Sequence, residues 1–332
     1  MTPKENYLRM LKGEVPEFMP SYIEPHSIPI REELLTPNAV PDGPVITSLG
    51  VKYVGSEETN FGAMPEPNVI VIDDILKWRD QLKIRDVSGR DWEGYYKKQT
   101  ENIDRENKCI SIDGGDYFLT LVSLMGFEGA LMAMYEEPDE VKAFYEHVSK
   151  FYTMVLKQQL HYMKPEIYVL MDDDAAYRAP FFSLDIYRDL IKPFHKLHCD
   201  IVRDAGCVVM RHDCGKSEQF IDDWIEIGVQ DWNPVQTSND CKAIKQKYVG
   251  KLALSGCWDT SKWSTKTTID EKELMDDLVE YVDTFAPGGG FTFAAAMGVP
   301  MPNETEVSKQ RREITTKFYY DYARDWYKRN PY

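Results

Sequence analysis

Cys207-Val-Val-Met-Arg-His-Asp-Cys-Gly215 begins as an apolar, β-branched run and ends in a turn. The run does not alternate with polar residues, which is the pattern of a strand covered on both faces. A stretch with helical spacing starts after Gly215, so the unit reads strand, turn, helix. The same unit recurs along the chain. Further short apolar runs lie at 18–23, 69–72, 109–112, 167–171, 229–232, 252–255 and 290–293. Longer helical patterns separate them. The clearest is Pro138–Met163, where Val141, Phe144, Val148, Phe151 and Val155 follow one stripe. Pro138 stands at its start, where a missing N–H costs nothing. A second helix follows Ser183 through Tyr187, Leu190, Phe194 and Leu197, and a last one spans about 304–326.

Strand–helix alternation without a linker or internal repeat predicts an α/β protein with parallel strands. Eight strands in 332 residues suit a closed (β/α)8 TIM barrel, with its active site at the carboxyl ends of the strands. A single catalytic domain over 1–332, with an N-terminal helical extension, is expected. The competitor is a doubly wound sheet. Its phosphate fingerprint is missing: neither Gly114-Gly115 nor Gly288-Gly289-Gly290 completes a GxGxxG, and there is no Walker A pattern.

Lys plus Arg number 39 and Asp plus Glu 55, a net charge of −16. That balance repels phosphate backbones and anionic lipid, so nucleic acid and membrane are not expected partners. No apolar run reaches the roughly 18–20 residues of a membrane span. The polar N-terminus lacks the apolar core of a signal peptide, so a cytoplasmic location is expected. Six cysteines are too sparse for a disulfide scaffold and read as core thiols or metal ligands.

His212 and Cys214, two apart in an extended chain, point to one side beyond a strand end. Imidazole and thiolate suit zinc, although a buried thiol beside a capping histidine has the same spacing. Cys257, at the carboxyl end of the run 252–255, is the candidate third ligand. Asp172-Asp173-Asp174 follows another strand. Three adjacent carboxylates repel one another, so one of them is expected to bind metal or ligand, or to move a proton. A solvated, capping loop is the other reading. Glu24 and His26 occupy the equivalent level after the first strand.

These residues lie within a longer series that resembles the uroporphyrinogen decarboxylase superfamily. The series includes the opening Met1-Thr-Pro-Lys-Glu-Asn-Tyr-Leu-Arg-Met-Leu-Lys-Gly-Glu14, Gly126-Phe-Glu-Gly129, Met171-Asp-Asp-Asp174, His212-Asp-Cys-Gly215 and Gly228-Val-Gln-Asp-Trp-Asn-Pro-Val-Gln236. Val299-Pro-Met-Pro-Asn-Glu304 completes it. The resemblance implies a (β/α)8 barrel. True decarboxylases of this superfamily carry an arginine-rich N-terminal segment that grips tetrapyrrole propionates. Here Ser21-Tyr-Ile-Glu-Pro-His-Ser-Ile-Pro-Ile-Arg31 has one late arginine and a carboxylate. The corrinoid-dependent methyltransferase branch fits better, and its His-x-Cys matches His212 and Cys214. That branch's later cysteine would fall near 291–299, where there is none. The resemblance thus implies a zinc site rebuilt with Cys257 or a carboxylate, or lost.

The activity implied is methyl transfer from a small methylated donor, favoured to be a methoxylated aromatic, to the Co(I) corrinoid (cobalamin) of a partner corrinoid protein. Zinc on His212, Cys214 and Cys257 would polarise the leaving oxygen. Asp173, Asp174 and Glu24 are the expected catalytic carboxylates. His26, Tyr22, Tyr177, Trp232 and Trp258 are the expected substrate contacts, the aromatics sandwiching an aryl ring or simply packing in the core. A methylcobamide:thiol methyltransferase and a metal-free decarboxylase are the alternatives. A homodimer is compatible with the sequence.

Overall fold

The computed structural model of the chain describes residues 1–25, 34–295 and 304–331. Six parallel strands pair in sequence order: β1 (Ser111–Gly114), β2 (Ile167–Met171), β3 (Val208–His212), β4 (Val229–Val235), β5 (Ala253–Gly256) and β6 (Phe291–Thr292). The segment 20–25 closes the sheet on itself. On one side Phe293 N–H donates to the Pro20 carbonyl at 2.8 Å and Tyr22 N–H to the Phe293 carbonyl at 3.0 Å. On the other, Cys109 N–H donates to the Pro25 carbonyl at 2.6 Å. The fold is a TIM barrel.

Two of the expected strands are corrected. The run 18–23 contributes only a single bridge, Ser21 to Phe293. Pro20 and Pro25 lack the N–H groups that a longer ladder needs. The run 69–72 is irregular. Both Val71 and Ile72 N–H groups donate to the carbonyl of Leu124, and Val69 and Ile70 face solvent. Asn68, at φ +62°, turns the chain just before it. A small antiparallel sheet, Val45–Ile46, Lys52–Val54 and Met64–Pro65, has no counterpart among the strands expected from the sequence.

Alternation along the strands builds two cores. Ile167, Val169, Met171, Val208, Met210 and Ala253 fill the barrel interior. Helix α1 (Pro3–Leu11) seats Tyr7, Met10 and Leu11 against them. A capping box starts α1: the Thr2 hydroxyl accepts from Glu5 N–H, and Glu5 accepts from Thr2 N–H. The opposite parity, including Tyr168, Leu170, Val209, Trp232 and Leu254, packs outward against the helices. These include α2 (Pro138–Met163), α3 (Lys192–Asp204), α4 (Ile221–Ile227), α5 (Cys241–Tyr248), α6 (Glu271–Phe285) and α7 (Glu306–Phe318). Helix α2 has the bounds its stripe predicts. Ser183 caps the helical run that leads into α3, accepting from Ile186 N–H. Among the described residues no single helix is long and apolar enough to cross a membrane. Tyr117–Met125 and Phe127–Glu136 reach the length only as a pair bent by 114°.

Candidate metal centre at the barrel mouth

On β3, Val208 and Met210 point into the barrel, so His212 does so at its carboxyl end. The chain then turns at Gly215, φ +85°, against the loop that follows β2. A Cβ there would lie 2.5 Å from the carbonyl of Ala175 and 2.6 Å from that of Ala176, so only glycine lets the loops touch. Backbone bonds fasten them. Cys214 N–H donates to Asp173 Oδ1 at 2.9 Å, Asp174 N–H to Asp213 Oδ1 at 3.1 Å, and Lys216 N–H to the Ala176 carbonyl at 2.9 Å.

This packing brings Asp173, His212 and Cys214 together, all half-buried, with one ligand atom from each within 4.8 Å of the others. Cys214 Sγ lies 3.9 Å from His212 Nε2. Zinc bonds of about 2.0–2.3 Å place tetrahedral ligand atoms roughly 3.3–3.8 Å apart, so the three need only a small contraction. Their chemistry also fits. Burial, then the Asp173 and Asp213 charges, push the Cys214 thiol up to about 12. A divalent cation reverses that local sign and makes the thiolate the favoured form. Were zinc held there, Asp173, His212 and Cys214 would supply three ligands, the number that catalytic rather than structural sites take from the protein.

The triple aspartate resolves its repulsion by sending each carboxylate elsewhere. Asp172 accepts from Phe118 and Leu119 N–H at 2.9 Å each, at the N-terminus of helix Tyr117–Met125. Burial raises it to about 7. His195 Nε2 is 3.4 Å from it, and burial lowers His195 to about 3, so that ring is neutral. Asp173 joins the candidate metal-ligand triad.

Asp174 is corrected from a mouth carboxylate to a buried structural one. It and Asp213 flank the Arg211 guanidinium at 2.6 Å and 2.9 Å, all with no exposure. Arg211, on the outward parity of β3, also lies over the Trp224 ring. The sequence reading gave Arg211 and Asp213 no role, because pairing across two loops leaves no local signal.

Other residues are redistributed. Cys257, at φ +65°, donates its thiol hydrogen to Cys241 and lines a separate cavity of about 330 Å³, so it is not a member of the triad. Strand β5 ends one residue before it, and the left-handed turn carries its side chain away. Glu24 is held by Arg324 at 2.5 Å and by the hydroxyls of Tyr319 and Tyr320. It ties the N-terminal segment to the C-terminal helix rather than facing the metal centre. Trp232 is a core residue, wholly buried on the outward parity of β4 against Trp224. Its indole N–H supports the metal loop from behind by donating to the Asp213 carbonyl at 3.0 Å. His26 lies outside the described residues.

Tyr22, Tyr177 and Trp258 do line one cavity, of about 540 Å³, at the ends of β4 and β5. Asn233 and Gln236 share its wall, and sequence reasoning gave them no role. The register of β4 could have found Asn233, since it pairs with His212. Gln236 Oε1 accepts from Gly215 N–H at 2.8 Å, which ties the cavity wall to the loop carrying Cys214.

A parallel barrel with a candidate metal-ligand set at its carboxyl-terminal mouth is an enzyme architecture. The sequence profile of Uroporphyrinogen decarboxylase (URO-D) matches residues 114–315, from the end of β1 into α7 and including the whole triad. That is more than half of the chain, and the chain belongs to this family. No curated protein sequence matches it significantly. Among solved structures, its fold is similar to that of a methyltransferase from Methanosarcina mazei, with a TM-score of 0.59 and 12% identity. That alignment covers 96% of this chain and 99% of the other.

Proposed function

We propose that this chain is a methyltransferase of the uroporphyrinogen decarboxylase family that moves a methyl group from a methoxylated aromatic to the corrinoid of a partner protein. The observation that carries the reading is the open Asp173–His212–Cys214 set beside an aromatic-walled cavity. Bound there, zinc would supply a Lewis acid for the ether oxygen, so that a phenoxide becomes a tolerable leaving group. The chain itself holds and orients. Tyr22 and Trp258 offer faces to a ring, and Tyr177, 63% exposed, stands at the rim. Tyr22 is raised to about 12 by burial and the Asp231 charge, so it stays a neutral donor. The methyl carbon would point out of the mouth, where a docked corrinoid protein presents Co(I) as the nucleophile.

The likeness to a methanogen methyltransferase supports the barrel, and the net charge of −16 supports an uncharged donor over a tetrapyrrole polycarboxylate. The test is zinc content together with loss of Co(I) absorbance from a reduced corrinoid protein, across a methoxyarene panel. One equivalent of zinc, lost together with turnover in Cys214→Ala, supports the proposal. Substrate-dependent CO₂ release without corrinoid would make the protein a decarboxylase instead. Methylation of a free thiol from methylcobalamin would make it a thiol methyltransferase.

A further inference from the structure

Asn233 is 8% exposed, lines the 540 Å³ cavity, and makes no side-chain hydrogen bond to the described residues. Its amide opens on that cavity, where a ligand can supply the donor and acceptor that the described residues do not. Its placement narrows which ligand. Asp231, two residues earlier on β4, faces the barrel interior, where Tyr7 and Ser255 donate to it. By alternation Asn233 faces inward one step nearer the mouth. It is the register partner of His212, and its carbonyl accepts from Asp213 N–H at 3.2 Å. Asn233 and His212 therefore stand on adjacent strands at one level, their backbones about 4.8 Å apart by strand spacing. Gln236 adds a second carboxamide. Its oxygen is committed to Gly215 N–H, so its NH₂ is the group left for the cavity. No lysine or arginine is among the described residues of the lining, and Asp259 is the only charged side chain among them.

We propose that Asn233, assisted by Gln236, is the specificity residue of the mouth. It would take a hydroxyl or second oxygen adjacent to the oxygen held at the metal centre, on an uncharged ring. A carboxamide both donates and accepts, so it matches a phenolic hydroxyl without requiring a charge. A carboxylate on the same ring would meet Asp259 and no described cation. The inference rests on the proposed methyl-donor reading for the identity of the metal-bound oxygen. The unpartnered amide itself does not depend on that reading.

Equilibrium binding to the zinc-loaded full-length protein tests it, by titration calorimetry or Trp258 fluorescence, with 2-methoxyphenol, anisole and 3-methoxybenzoate. The expected order places 2-methoxyphenol about tenfold tighter than anisole, with the benzoate weakest. Asn233→Leu should bring the first two within about twofold while leaving zinc content unchanged, and Gln236→Leu should act in the same direction but less. Equal binding of 2-methoxyphenol and anisole by the unmodified protein overturns the proposal, which keeps it testable even if the leucine variant misfolds. So does tighter binding of the benzoate, or an undiminished preference in Asn233→Leu. Binding requires no corrinoid. The expected order without methyl transfer would sink the proposed function and leave this assignment standing. Methyl transfer with equal KM for anisole and 2-methoxyphenol would do the reverse.

Discussion

Arg211 sits in the outward layer of the barrel with no access to water and two carboxylates within 3 Å. Removing it strands both, so Arg211→Leu should cost about 3–5 kcal/mol in urea unfolding, whereas a typical surface substitution changes little. At the metal centre, Asp173→Asn and Cys214→Ala should each lower zinc content to well below half an equivalent, read by elemental analysis. Cys257→Ala should leave it intact, since that thiol faces Cys241. Asp231 makes a pH prediction. Burial raises it from 3.8 to about 7, against the hydrogen bonds from Tyr7 and Ser255. Between these values the folded chain holds a proton that the unfolded chain releases, so this group's contribution falls as pH rises from about 4 to 7 and is flat above. A tenfold difference in proton affinity between the two states is worth about 1.4 kcal/mol. Unfolding free energies at pH 5 and 8 should therefore show the unmodified protein losing ground to Asp231→Asn at the higher pH. A constant difference would contradict the assignment.

The strand–turn–helix unit around β3 shows how far local pattern reaches. Its apolar run, its inward His212 and the glycine turn are legible in the sequence, because alternation and turn chemistry are properties of a few neighbouring residues. The partner loop is not. Asp173 and Cys214 lie 41 positions apart and meet only because Gly215 lets the loops after β2 and β3 touch. Gly215→Ala should therefore separate them: zinc affinity falls at least tenfold, with a loss of stability of a few kcal/mol from the strained φ and the clash with two carbonyls. Competition with a chromophoric chelator, alongside thermal unfolding, measures both. The runs at 18–23 and 69–72 mislead at this scale too. Apolar, β-branched composition secures neither burial, since Val69 and Ile70 face solvent, nor a ladder, which needs N–H groups facing a partner strand.

Over the whole molecule, α1 acts as the floor of the barrel. Tyr7 donates to Asp231 at 2.6 Å, and Met10 and Leu11 cover the interior cluster. A chain lacking residues 1–12 should expose that cluster, bind a hydrophobic dye and unfold at markedly lower urea. An unchanged midpoint would show that the floor is dispensable. Strand–helix alternation, the inward-facing His212, the long α2 and the acidic balance were all determined by the sequence alone. Each is a local periodicity or a sum over residues, and neither depends on what lies across the barrel. The tertiary structure alone decided which of three consecutive aspartates reaches the metal centre. It also decided that Cys257 turns to Cys241, that Trp232 supports a loop rather than a ligand, and that Asn233 stands beside His212 on the cavity wall. Those outcomes depend on which strand ends become neighbours when the sheet closes, and closure is a long-range event that no short stretch of chain encodes.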